Sequence, residues 1–141
     1  LRIAYRYHDV QTTYENTLKQ RPLNARHRAF INLAYTTRSK WSFDYTLQWT
    51  GSKRVPSVPV IPGDMKRVTT SPSFITMNAH INKVLMKGVE VYAGAENLLN
   101  YMQMDPIVDA MNPFGQYFDA SLIWGPVMGR SFYVGLRYNK K

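Results

Sequence analysis

The segment Trp41–Gly51, WSFDYTLQWTG, alternates without a fault. Trp41, Phe43, Tyr45, Leu47 and Trp49 are apolar or aromatic, and Ser42, Asp44, Thr46, Gln48 and Thr50 are polar. Successive side chains of a strand point to opposite faces, so this period of two predicts a β-strand with one greasy face. Five more segments read the same way: Leu1–His8, about Ala25–Thr37, about Ser73–Val84, Val89–Leu98 and Arg130–Tyr138. Val89–Leu98 is the weakest of them, because Ala93 and Ala95 are its inner apolar positions. A soluble sheet on a protein core and a membrane barrel in lipid both use this alternation, so the strands alone leave both readings open.

The connections narrow the choice. TRSK around Ser39 and LMKG around Lys87 are short, whereas Val10–Asn24, Lys53–Pro72 and Leu99–Gly129 are long. They alternate long, short, long, short, long. An up-and-down sheet then carries all its short turns at one end and all its long loops at the other. Outer-membrane barrels have short periplasmic turns and longer extracellular loops, and loops of this length are uncommon inside compact soluble domains. The expected fold is all-β, an antiparallel up-and-down transmembrane β-barrel of which these are six strands.

Strand length agrees. Trp41 and Trp49 are eight residues apart, which extends roughly 27 Å at about 3.4 Å per residue. Tilted about 40°, they cross roughly 21 Å, near the apolar band of about 25 Å between aromatic girdles. The expected lipid-facing and girdle residues are Tyr35, Trp41, Phe43, Tyr45, Leu47, Trp49, Phe132, Val134, Leu136 and Tyr138. Tyr35, Trp41 and Tyr138 fall in the short-turn girdle, and Trp49 with Tyr7 in the other. Arg28, Asp44, Glu90, Glu96 and Arg137 are expected to face the lumen. Pairing Val89 with Tyr138 sets Glu90 opposite Arg137, a favourable cross-strand pair.

Composition changes little of this. The chain has 141 residues and begins at Leu1, inside a strand, which reads as part of a longer protein. No apolar run approaches the 18 or so residues of a transmembrane helix, a test that says nothing of barrels. Cysteine is absent, which removes disulfides and thiolate chemistry. The net charge of +9 raises the question of nucleic acid, but the basic residues are scattered and no nucleic-acid motif accompanies them.

Candidate chemistry is sparse. The loop Leu99–Gly129 carries Met102, Met104, Asp105, Asp109, Phe118 and Trp124, the set expected to touch a substrate at the barrel mouth. The competing reading is that its methionines and aromatics simply pack the loop. His8, His27 and His80 lack metal-ligand spacing, so neither a metal nor a cofactor is expected. No nucleophile elbow or adjacent base supports an enzyme. GDMK around Asp64 lacks a phosphate-loop context.

VEVYAGAENLLN (Val89–Asn100) and YFDASLIWGPVMGRSFYVGLRY (Tyr117–Tyr138) resemble the closing strands of TonB-dependent outer-membrane receptors. RHRAFINLAYTT and WSFDYTLQWTGSKRVP look like the preceding hairpin of that family. The resemblance implies the C-terminal part of a 22-stranded barrel, with an N-terminal plug domain and the rest of the barrel outside this sequence. It implies a bacterial outer-membrane receptor that imports a scarce nutrient: a siderophore, cobalamin, haem, another metal complex or a glycan. The implied partners are outer-membrane lipid, the plug, the TonB complex through the missing N-terminal part, and the barrel-assembly machinery through the C-terminal strand. Asn139, Lys140 and Lys141 after Tyr138 depart from the family's usual aromatic end. An outer-membrane barrel enzyme, a passive porin and a soluble all-β binding module stand as alternatives.

Overall fold

A computed structural model describes residues 1–56 and 69–140. The GDMK stretch and Lys141 lie outside the described residues. The strands are β1 (Arg2–Tyr7), β2 (Gln11–Tyr14), β3 (Thr17–Gln20), β4 (His27–Thr36), β5 (Trp41–Thr50), β6 (Phe74–Met86), β7 (Val89–Glu96) and β8 (Ser131–Tyr138). The protein is all-β, and every strand pair is antiparallel. Six strands form one sheet in the order β1-β4-β5-β6-β7-β8, a meander with β1 and β8 as open edges. All six expected strands are present.

The two short turns are built from local chemistry. In Thr37–Lys40, Lys40 donates its N–H to the Thr37 carbonyl (3.0 Å), and the Thr37 hydroxyl accepts from the Trp41 N–H (3.0 Å). Lys40 closes the turn with φ 64°, in the left-handed region that follows a type I turn in tight hairpins. The second turn is Lys87-Gly88, with Gly88 at φ 82°. Glycine takes that angle without steric cost. An added Cβ there would also run into the Asn139 carbonyl, which sits beside the turn because Asn139 N–H donates to Gly88 O (2.7 Å).

Two features depart from the expected pattern. The connection Val10–Asn24 contains a second small sheet, the hairpin β2–β3. Its turn residues Glu15 and Asn16 both have positive φ, 49° and 56°, as a two-residue type I′ turn requires. β6 also runs on to Met86 through a register shift between Val84 and Met86.

Register makes one face of the six-stranded sheet predominantly apolar, with His27 and Lys83, each near one end, as the exceptions. Ile3, Ile31, Leu47 and Met77 lie side by side across β1, β4, β5 and β6. So do Leu33, Tyr45, Ala79, Ala95 and Phe132 across β4 to β8, and likewise Tyr35, Phe43, Ile81, Ala93 and Val134. This face has no second layer among the described residues. Phe43 is 42% exposed, Tyr45 41%, Leu136 67% and Val134 78%. Among the described residues the buried apolar ones are only Ala25, Val55 and Ala95, far fewer than a soluble core contains.

Candidate functional site

The opposite face of the sheet is polar, and the residues expected there are on it. Asp44 pairs with His80, Glu90 with Arg137, Glu96 with Ser131, and Arg28 with Arg6 and Thr50. The register Val89–Tyr138 holds along all of β7 and β8. Glu90 and Arg137 form an ion pair at 3.6 Å, open to solvent on the arginine side. Such a pair contributes at most about 1 kcal/mol, so its value lies in fixing register.

Beside that pair is a cluster that the alternation placed on this face without marking it as a site. Tyr133 lies across Gly94, and Tyr92 lies across Gly135, each at its cross-strand partner. A Cβ on either glycine would overlap the facing tyrosine ring. The two glycines thus serve as slots for two rings. His80 leans on both, with centroids 5.8 Å from Tyr92 and 6.0 Å from Tyr133, and its Nδ1 shares a 3.1 Å hydrogen bond with the Tyr133 hydroxyl. The Arg137 guanidinium stands 5.7 Å from the Tyr92 ring. Asn32 extends the polar face by donating to Asp44 (2.9 Å) and Thr46 (2.8 Å). The result is an aromatic, hydrogen-bonding wall, able to stack on and orient a polar molecule.

The long-loop end is tied down by buried amides. Asn97 terminates β7 in a left-handed conformation (φ 49°). Its side-chain amide donates to the carbonyls of Tyr101 (2.8 Å) and Met128 (3.1 Å), and its Oδ1 accepts from Tyr101 N–H (3.1 Å). Gln103, 6% exposed, accepts from the N–H groups of Trp124 (2.8 Å) and Gly125 (3.0 Å) and donates to Leu122 O (3.0 Å). Phe74 stacks on Tyr101 at 5.0 Å and meets Trp124 at 6.2 Å.

Lys53 inserts its ammonium against these rings, 5.4 Å from the Phe74 centroid, and donates to the Trp124 carbonyl. Burial lowers its pKa below 10.5, with a smaller contribution from the Arg28 charge. The folded chain therefore releases this proton at a lower pH than the unfolded chain. As pH rises through the lowered value the unfolded state binds more protons, so stability increases toward pH 10.5. Lys53→Met should abolish that rise, as read from denaturation curves at several pH values below 10.

The six loop residues expected to meet a substrate do not converge. Trp124 belongs to the packed knot just described. Met102 and Met104 are exposed above it, and Asp105 is exposed at a left-handed position. Asp109 accepts from the Asn112 side chain (2.9 Å) and shapes a local turn. An open depression lies against Asp109, Met111, Phe114 and Tyr117, while Phe118 is exposed beside it. Packing accounts for Trp124 and a local turn for the half-buried Asp109, while Met102, Met104, Asp105 and Phe118 are exposed. Among the described residues no group of three His, Asp or Glu side chains is placed to hold a metal. Comparison of the chain with protein families, with curated proteins and with solved structures found no match.

Proposed function

We propose that the six-stranded sheet is a sector of an outer-membrane β-barrel wall, and that the barrel is a TonB-dependent receptor importing a scarce nutrient. The observation that carries the membrane part is the single-layered sheet, whose largely apolar face extends across all six strands and is uncovered among the described residues. Six strands about 4.8 Å apart and some 27 Å long present on the order of 750 Å². The largest apolar patch on a typical soluble monomer is about 300–600 Å². Lipid covers such a face at no cost, whereas water does not.

Other features support the same reading. Both short turns lie at one end of the sheet and the long connections at the other. Tyr7, His27 and Trp49 gather at the long-loop end, with centroid separations of 5.1 and 6.4 Å, as one girdle would. Tyr35, Trp41 and Tyr138 occupy the other end. The open edges at β1 and β8 are where further strands would pair. In this reading the wall of Tyr92, Tyr133, His80 and Arg137 lines the lumen, facing the plug and the passing ligand, and the loop knot holds the mouth open. The receptor assignment rests on the resemblance of the ENLLN step and the GRSFYVGLRY strand. The chemistry is binding and gated passage, with no bond made or broken.

Two measurements test this. Carbonate-washed outer membranes should retain the protein until detergent is added; recovery in the aqueous fraction would defeat the barrel. A strain lacking the gene should then lose growth on one of a defined set of iron, vitamin or glycan sources at limiting concentration. Unchanged growth on all of them would defeat the receptor while leaving the barrel.

A further inference from the structure

Lys83 is the one lysine, arginine or carboxylate on the apolar face of the described strands. It sits between Trp41 and Val91 in register. Its ammonium lies 5.0 Å from the Trp41 ring and donates to Ser39 O (2.5 Å) in the first short turn. A backbone hydrogen bond from Val84 N–H to Lys40 O (3.2 Å) holds that turn against β6. Arg38 and Lys40 flank Ser39, whose carbonyl Lys83 reaches, and both are exposed. The carboxylates nearest this end, Asp44 and Glu90, are on the other face, engaged with Asn32 and Arg137.

Next to Lys83, toward the middle of the sheet, the apolar face is indented. Ala79, Ala93 and Ala95 form a floor. Phe43 and Tyr45 rise on one side and Phe132 on the other, enclosing an apolar trough. Small residues on three adjacent strand positions create this relief where larger ones would level it.

We propose that the trough and the basic turn together bind one anionic phospholipid, with an acyl chain on the alanine floor and the phosphate on Lys83, Lys40 and Arg38. An ammonium carries three donors, and Lys83 spends one on Ser39, leaving two for phosphate oxygens. Charge-assisted bonds of this type are among the stronger hydrogen bonds. Lys83 on the apolar face and the two basic residues of the adjoining turn, with Asp44 and Glu90 engaged on the opposite face, favour a headgroup of net negative charge over a zwitterionic one. The trough favours a lipid over a free phosphate. This inference rests on the reading of the apolar face as lipid-facing.

The test uses the protein in nanodiscs of phosphatidylcholine doped with phosphatidylglycerol of the same chain length, with bound lipid counted by native mass spectrometry after release. The wild type should retain one phosphatidylglycerol in preference to phosphatidylcholine. Lys40→Gln with Lys83→Gln should weaken that retention by about fivefold per lysine, while Lys19→Gln in the β2–β3 hairpin should leave it unchanged. Ala93→Leu, which fills the trough, should weaken both lipids and preserve their ratio. Equal retention of the two lipids, a preference that survives the double variant, or indifference to Ala93→Leu would each overturn the proposal. Failure to enter nanodiscs of either composition would instead overturn the lipid-facing reading beneath it.

Discussion

Tyr45→Arg should destabilise the folded sheet in lipid by about 2–4 kcal/mol, and Trp49→Arg by no more than about 1 kcal/mol. Both side chains are on the apolar face, two rows apart. Tyr45 occupies the central row with Leu33, Ala79, Ala95 and Phe132, where on the proposed barrel a guanidinium would have hydrocarbon around it. Trp49 is in the row beside the long loops, near His27, where on the proposed barrel a charge would reach headgroups and water. The same pair separates lipid from water as the surrounding solvent. Tyr45 is 41% exposed, and its polar contact is one from its hydroxyl to Met77 Sδ (2.6 Å). In an aqueous sheet, arginine there would change stability by about 0.5 kcal/mol or less. Denaturant unfolding from vesicles measures both variants; equal effects would refute the depth assignment, and two negligible effects would refute lipid contact.

Much of the sheet was legible because alternation is a strong signal when it is sustained. Each expected strand is where the period of two placed it, and the β7–β8 register followed from matching apolar positions and opposite charges at once. That register also puts Tyr92 opposite Gly135 and Gly94 opposite Tyr133, so the ring-over-glycine slots were present in the sequence for a reader who carried the pairing through. The hairpin β2–β3 was not visible, because QTTYENTLKQ lacks a greasy face and its Glu15-Asn16 turn lacks the glycine that usually marks a type I′ turn. Lys83 interrupts the alternation of β6, and only the turn it reaches explains why a charge is tolerated there. The loop knot was illegible for another reason. Asn97 and Gln103 are buried by segments about 20 to 30 residues further along, and a single polar residue in a loop carries no periodicity to read.

Asn97 is where the ENLLN step acquires a physical meaning, and Asn97→Ala should be among the most damaging loop substitutions. Two losses combine. Alanine pays for the left-handed conformation at φ 49°, which asparagine tolerates better than other non-glycine residues; that costs about 1 kcal/mol. It also removes three side-chain hydrogen bonds, leaving Tyr101 N–H and the carbonyls of Tyr101 and Met128 unpaired. Each orphaned group costs about 1–3 kcal/mol where it stays dry. Partial entry of water keeps the combined loss at about 3 kcal/mol. Asn97→Gly keeps the backbone angle and loses only the hydrogen bonds, so it should be milder by about 1 kcal/mol, and the difference isolates the conformational part. The neighbouring Asn100, also left-handed at φ 54°, accepts from Arg130 N–H (2.9 Å) and joins the same loop to the start of β8. Loosening Asn97 should therefore expose the whole connection Leu99–Gly129 to protease before the strands unfold. Limited proteolysis and hydrogen exchange read this directly. Protection in Asn97→Ala equal to the wild type would show that the loop is held elsewhere, and that Asn97 serves only to end the strand.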